Sequence, residues 1–357
     1  MRRASLALIA GGALLLLLGL LLTLFAGATS MPSYLANWLF WASLPLGALP
    51  VVMALDLAGP GAGFGMEGAL RRLLLLMPLA AILLIPVVMR PAALFGWANG
   101  HGFTTPIGQA WMSDAAFVIR NVVYGLLLIV LMLIFVRAPA PAAVPRRRGL
   151  AALGLVVYLP LMTFASVDWA MTVEPDWFSA GFGLLLMSAQ AVVAVCAASL
   201  LAGPAWRRLA PEPAAAFLIV AAAAWAFMQF IQFLVIWSAN KPSDISWYLH
   251  RSNPGSLIAV GLGFIAGFLM PLLVLQSPEL RRRARVLPAM AVLMLIVQAL
   301  DMLWLITPSI RHDFTISGMD VLELAGIGGV MMGLCLLLPP PVAAPLASGT
   351  TGHPVHG

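Results

Sequence analysis

The 357-residue chain is 62% hydrophobic and only 9% charged, with a mean hydropathy of +1.02. Soluble domains carry about a quarter of their residues charged, so the composition excludes a water-soluble globular fold and indicates an all-α polytopic membrane protein. The net charge of +6 does not indicate nucleic acid, because no basic stretch has aromatic partners on a soluble face; it reads as the basic signature of cytoplasmic loops.

Ten apolar runs are long enough to span a bilayer: 5–27, 34–57, 69–89, 114–136, 149–170, 178–202, 214–239, 255–276, 285–306 and 320–338. The first follows Arg2 and Arg3 and ends in FAGATS, which weakly resembles a cleavage site. Its apolar stretch is longer than the roughly 7–15 residues of a signal-peptide core, so it is expected to stay as a helix. Residues 1–338 read as one integral membrane domain of about ten helices. The tail PPPVAAPLASGTTGHPVHG, 339–357, has the composition of a disordered segment. Cys196 and Cys335 both fall inside apolar runs and form no CxxC, zinc or iron–sulfur pattern.

Basic residues set the expected orientation. With the N-terminus cytoplasmic, 14 of the 19 Lys and Arg residues fall in inside loops, among them Arg71, Arg72, Arg146, Arg147 and Arg148. Both termini are then cytoplasmic, and the stretch TVEPDWF, 172–178, faces outward.

Ionisable residues within spans are costly and mark sites or buried pairs. Arg120, Asp168, Asp301 and Glu323 lie in the outer part of their runs; Asp56, at the inner end of the second, is the one comparable acid elsewhere. A deeper neutral tier contains Tyr158, Gln190, Gln229 and Gln232. Gln229, Gln232 and Ser238 share roughly one helix face, as do Gln298, Asp301 and Trp304. Together they allow a polar path from the outer face to mid-membrane, a half-channel with nothing ionisable continuing inward. The same residues also serve as interhelical glue, an Arg120–Asp pair can simply neutralise charge, Asp320 and Glu323 can cap the tenth run, and Glu174 and Asp176 can be solvated loop charges. All five histidines, His101, His250, His312, His353 and His356, lie in loops or the tail, so no histidine pair stands within the spans to hold a haem. No catalytic Ser/His/Asp or metal constellation is readable. Tryptophans cluster at the outer ends, as an aromatic belt or a docking surface would place them.

Three stretches carry a family resemblance. TFASVDWAMTVEPDWFSAGFGLL, beginning at Thr163, and FMQFIQFLVIWSANKPSDISWYLHR, 227–251, resemble the signature segments of the F subunit of alternative complex III, a bacterial quinol:cytochrome c oxidoreductase. FVIRNVVY, 117–124, resembles its fourth-helix pattern. The resemblance implies the fold of the NrfD/polysulfide-reductase membrane subunits: two four-helix bundles, runs 2–5 and 6–9, plus a peripheral helix at each end. It implies a multi-pass subunit of the bacterial cytoplasmic (inner) membrane that holds no cofactor itself. Its partners would be a sister membrane subunit binding quinol, periplasmic multihaem and monohaem cytochromes c, an iron–sulfur protein and, as a further neighbour, a terminal oxidase. The resemblance nominates Asp168, Glu174, Gln229, Gln232, Asp244 and Arg120 for a proton path; the polar tiers add Asp301 and Tyr158. Two other functions fit the residues less well. A secondary transporter calls for broken helices around a midplane site. A subunit that itself binds quinol needs a proton acceptor beside the quinol hydroxyl, for which Asp168 or Asp301 qualifies.

Overall fold

A computed structural model describes residues 2–26, 30–100, 105–174, 177–311 and 313–339. Asp176, His101, His312, His353, His356 and the tail from 340 lie outside the described residues. Among those described there is no strand, and ten helical segments are long and apolar enough to cross a membrane. The protein is a multi-pass α-helical membrane protein. The spans are α1 (Arg2–Ala26), α2 (Met31–Ala58), α3 (Glu67–Met89), α4 (Asp114–Phe135), α5 (Val144–Trp169), α6 (Phe182–Leu201), α7 (Pro211–Ala239), α8 (Pro254–Gln276), α9 (Val286–Ile306) and α10 (Gly318–Leu337).

Helices α2–α5 pack as one group and α6–α9 as a second. Helices α2 and α6 form the seam, and α2 also contacts α9. Both are apolar on all sides because protein surrounds them on all sides. Expected as a peripheral helix at each end of the chain, α1 and α10 pack on each other, and α10 rests on α2. Glycines make that crossing close. A Cβ on Gly12 would stand 2.6 Å from the Val330 amide nitrogen and 2.8 Å from the Gly326 carbonyl. One on Gly329 would stand 2.9 Å from the Leu8 carbonyl. Such small-residue contacts replace the hydrophobic drive that lipid cannot supply. Gly12→Leu is therefore expected to push α1 off α10 and cost about 1–3 kcal/mol, read as a lower melting temperature of the full chain in mild detergent.

Prolines interrupt the spans, and neighbouring side chains repair the damage. Pro50 within α2 has no N–H for the Leu46 carbonyl four residues earlier. The Tyr158 hydroxyl of α5 donates to that carbonyl at 3.0 Å. Helix α3 breaks before Pro78 and again before Pro86. At the second break the carbonyls of Ala80 and Leu83 accept from Trp38 Nε1 at 2.9 Å and Tyr34 OH at 2.6 Å, both on α2. In α8, Pro271 withholds the donor from Gly267, and the helix widens into a π-turn over Ile265–Leu269. A bilayer offers no water to such freed carbonyls, so they have to be met from within the protein.

Candidate functional site

Ion pairs clamp the first bundle at both ends. At one end α4 and α5 are joined through Asp168. Its Oδ2 accepts from Arg120 Nε at 2.8 Å and from Tyr124 OH at 2.9 Å, and its Oδ1 accepts from Arg120 Nη2 at 2.9 Å. Arg120 also donates to the Trp111 carbonyl and lies over the Trp111 ring at 4.6 Å. One residue on, Trp169 Nε1 donates to Asn121 Oδ1 at 2.7 Å. The spacing of Arg120, Asn121 and Tyr124 puts one helix face against Asp168 and Trp169. Asp168 is 2% exposed and its two oxygens share three charge-assisted or phenolic bonds, the arrangement of a structural pair.

At the opposite end, Asp56 of α2 takes both Arg71 of α3 and Arg147 of α5. All three side chains are buried. Two guanidiniums on one carboxylate leave a surplus positive charge, and the C-terminal carbonyls of α4 absorb it. Phe135 accepts from Arg71, Ile134 accepts from Arg147, and the Arg137 carbonyl accepts from both. Those carbonyls are the negative end of the α4 dipole. Arg71 and Arg147, read from sequence as inside-loop charges, thus also hold α2, α3, α4 and α5 together.

The two longest resemblance segments meet at the Asp168 end. Trp177 stacks on Trp247 with centroids 5.0 Å apart and planes 21° from parallel. Glu174 Oε1 lies 3.0 Å from His250 Nδ1, and Oε2 lies 3.8 Å from Arg251 Nη1. Arg251 is 2% exposed. It donates to the carbonyls of Trp247 and Leu305 at 2.8 Å each, to that of Trp304 at 3.2 Å and to Ser309 Oγ at 2.7 Å. Its guanidinium lies 3.8 Å from the Trp247 ring centroid. Burial pulls the Arg251 pKa down to about 9, with Glu174 and Tyr248 opposing, so it stays cationic at neutral pH. Glu174, expected as a solvated loop charge or a path residue, is a buried partner of this arginine. A lysine cannot reproduce the planar fork. Arg251→Lys is therefore expected to leave buried carbonyls unmet and to cost about 1–3 kcal/mol, seen as a lower melting temperature and faster proteolysis of 174–180 and 240–253.

The second bundle holds a different kind of acid. Asp301 Oδ2 accepts from Trp225 Nε1 at 3.0 Å, and Oδ1 accepts from Gln229 Nε2 at 3.1 Å. No cation lies within 4 Å of it among the described residues. One turn along α7, Gln232 Oε1 accepts from Ser179 Oγ at 2.7 Å. The structure thus joins Gln229 to Asp301 and brings Gln232 to the loop before α6. Ser238, on the same sequence face, is exposed and donates back to the Val235 carbonyl. Tyr158 belongs to the Pro50 repair, and half-buried Asp244 accepts from its neighbour Ser243. Asp320 closes a capping box with Ser317 at the start of α10 and pairs with Arg311 at 3.0 Å. Glu323 does not cap: it is buried against Gly19 of α1. Trp225, absent from the sequence reading, was legible as the residue four before Gln229 on the same face. The described residues contain no group of three or more His, Cys, Asp or Glu able to hold a metal.

Fold and site together define a multi-pass helical membrane protein with one ion-clamped bundle and one bundle in which Asp301 meets two neutral donors and, among the described residues, no cation. No protein-family model matches the chain, and no curated protein matches it.

Proposed function

We propose that this chain is an integral membrane subunit, without a cofactor of its own, of a quinol:cytochrome c oxidoreductase of the alternative complex III type. It supports assembly of that complex in the bacterial cytoplasmic membrane, with both termini cytoplasmic, and supplies a proton half-channel from the periplasmic side. The observation that carries this reading is the convergence of the two longest resemblance segments at one end of the protein, through the Trp177–Trp247 stack and the Glu174–Arg251 contact. These buried contacts hold segments far apart in the chain together at the end that would face the periplasmic subunits. The tryptophan-rich character of that end fits such an interface.

The sister quinol-binding subunit, the multihaem and monohaem cytochromes c and the iron–sulfur protein would then be its partners. Affinity purification of the tagged full chain from its native membranes in mild detergent tests this. Co-purifying covalent haem, seen by haem staining, with an iron–sulfur protein identified by mass spectrometry is the expected result. A stable monomer free of haem-bearing partners in every mild detergent would overturn it.

A further inference from the structure

The half-channel leaves open which carboxylate receives the proton. Asp168 is fully engaged by Arg120 and Tyr124, and protonating it would leave Arg120 buried without a counter-charge. Asp301 carries no such debt, since its partners are two neutral donors.

We propose that the half-channel ends on Asp301, that it runs along α7 through Ser179, Gln232 and Gln229, and that Asp168 is not on it. This rests on the reading of the chain as a proton-conducting subunit. Glutamine and serine side chains line the route, and water carries the proton between them.

Four observations support the assignment. Ser179 and Gln232 are bonded at 2.7 Å, Gln229 reaches Asp301 at 3.1 Å, and the two glutamines lie on one face of α7. Gln232 is 5% exposed, yet its Nε2 meets no protein acceptor among the described residues. Gln298, one turn before Asp301 on α9, is 1% exposed, and its Oε1 meets no donor among them. A buried polar atom left without a partner costs about 1–3 kcal/mol, and an internal water bonded to several such groups removes that cost. Small residues of α8 also lie across from this stretch of α9. Trp304 Nε1 bonds Ser256 Oγ at 2.6 Å, and Val297 faces Gly263 and Gly267. Asp301 lies between Val297 and Trp304, so it comes level with Ala259 and Gly263 of α8, next to the π-turn.

The chemistry is proton transfer alone. A hydronium in the route gives its proton to an Asp301 oxygen, the carboxylate becomes a carboxylic acid, and the proton leaves by the same route. The charged surroundings are sparse. Neither α7 nor the π-turn of α8 presents an ionisable group to Asp301. The titratable group on α6 is Cys196, against Met294, about two turns nearer the Asp56 end. Arg251 lies about one turn further along α9, held on the carbonyls of Trp304 and Leu305, with Glu174 and His250 beyond it.

The test uses the full chain as isolated from native membranes with whatever co-purifies. An apolar carbodiimide, dicyclohexylcarbodiimide, adds to protonated carboxyl groups inside membranes. The expected result is a label on Asp301, none on Asp168, and loss of the label in Asp301→Asn. In infrared spectra the carboxylic C=O band should shift on transfer to D2O and vanish in Asp301→Asn. In Gln232→Leu the shift should slow at least tenfold. An unlabelled Asp301, a band indifferent to D2O, or a Gln232→Leu variant that exchanges at the parent rate overturns the assignment. Any of these in a preparation that retains its haem-bearing partners sinks the route and leaves the subunit reading standing. A labelled, exchanging Asp301 in a chain without those partners does the reverse.

Discussion

Asp168→Asn is expected to destabilise the protein by about 3–5 kcal/mol, because it leaves the Arg120 guanidinium buried without a counter-charge. The loss should appear as failed assembly or a much lower melting temperature in detergent, before any effect on proton transfer is measurable. Three bonds end on the Asp168 carboxylate, two of them from one arginine. Asparagine keeps part of the shape, but its amide presents a donor to a donor. The physical content lies in the comparison with the double variant. Replacing both partners with apolar residues of similar volume removes the buried charge altogether, and such replacements are often neutral or stabilising. Arg120→Met/Asp168→Leu should therefore recover most of what Asp168→Asn loses. Were Asp168→Asn to assemble normally and lose proton uptake alone, Asp168 would be a carrier and the ion-pair account would fail.

Asp56→Asn is expected to be at least as damaging. Here one carboxylate serves two buried arginines, so its removal strands two positive charges in place of one. Neither can turn readily to water, because Arg71 and Arg147 are tied to the α4 carbonyls of Phe135 and Ile134. The contacts joining α2, α3, α4 and α5 depend on this one side chain. Loss of the folded chain from membranes should be seen on quantitative blotting. Adding Arg71→Met should recover part of the yield, since a single arginine facing the α4 C-terminus is less costly than two. No recovery in the double variant would show that the cluster is not held by charge balance.

The sequence was most legible where periodicity and composition act alone. The ten spans are a matter of apolar length, and each expected run overlaps an observed helix. The placement of Arg120, Asp168, Asp301 and Glu323 toward one end was also readable, because position along a span follows from counting residues. Pairing was not, since it depends on how helices rotate about their axes, and that rotation is set by packing against neighbours. Tyr158 shows the difference. From sequence it is a polar residue in mid-membrane; in the fold it answers a carbonyl that Pro50 freed on another helix. Glu323 has a position one turn beyond a cap, and only the glycine-lined crossing with α1 shows that it is buried there instead.

By itself, then, the amino-acid sequence determined the class: a chain with so little charge and so many long apolar runs has no folded state in water, and lipid restricts its spans to helices. It also determined which few ionisable groups the membrane would have to accommodate. Only the tertiary structure decided what each became. Arg120 and Tyr124 turned Asp168 into a clamp, and Arg71 and Arg147 did the same for Asp56. Asp301 met the neutral donors Trp225 and Gln229, with no cation near it among the described residues, because which side chains meet is set by how the packed helices are rotated and not by place in the chain.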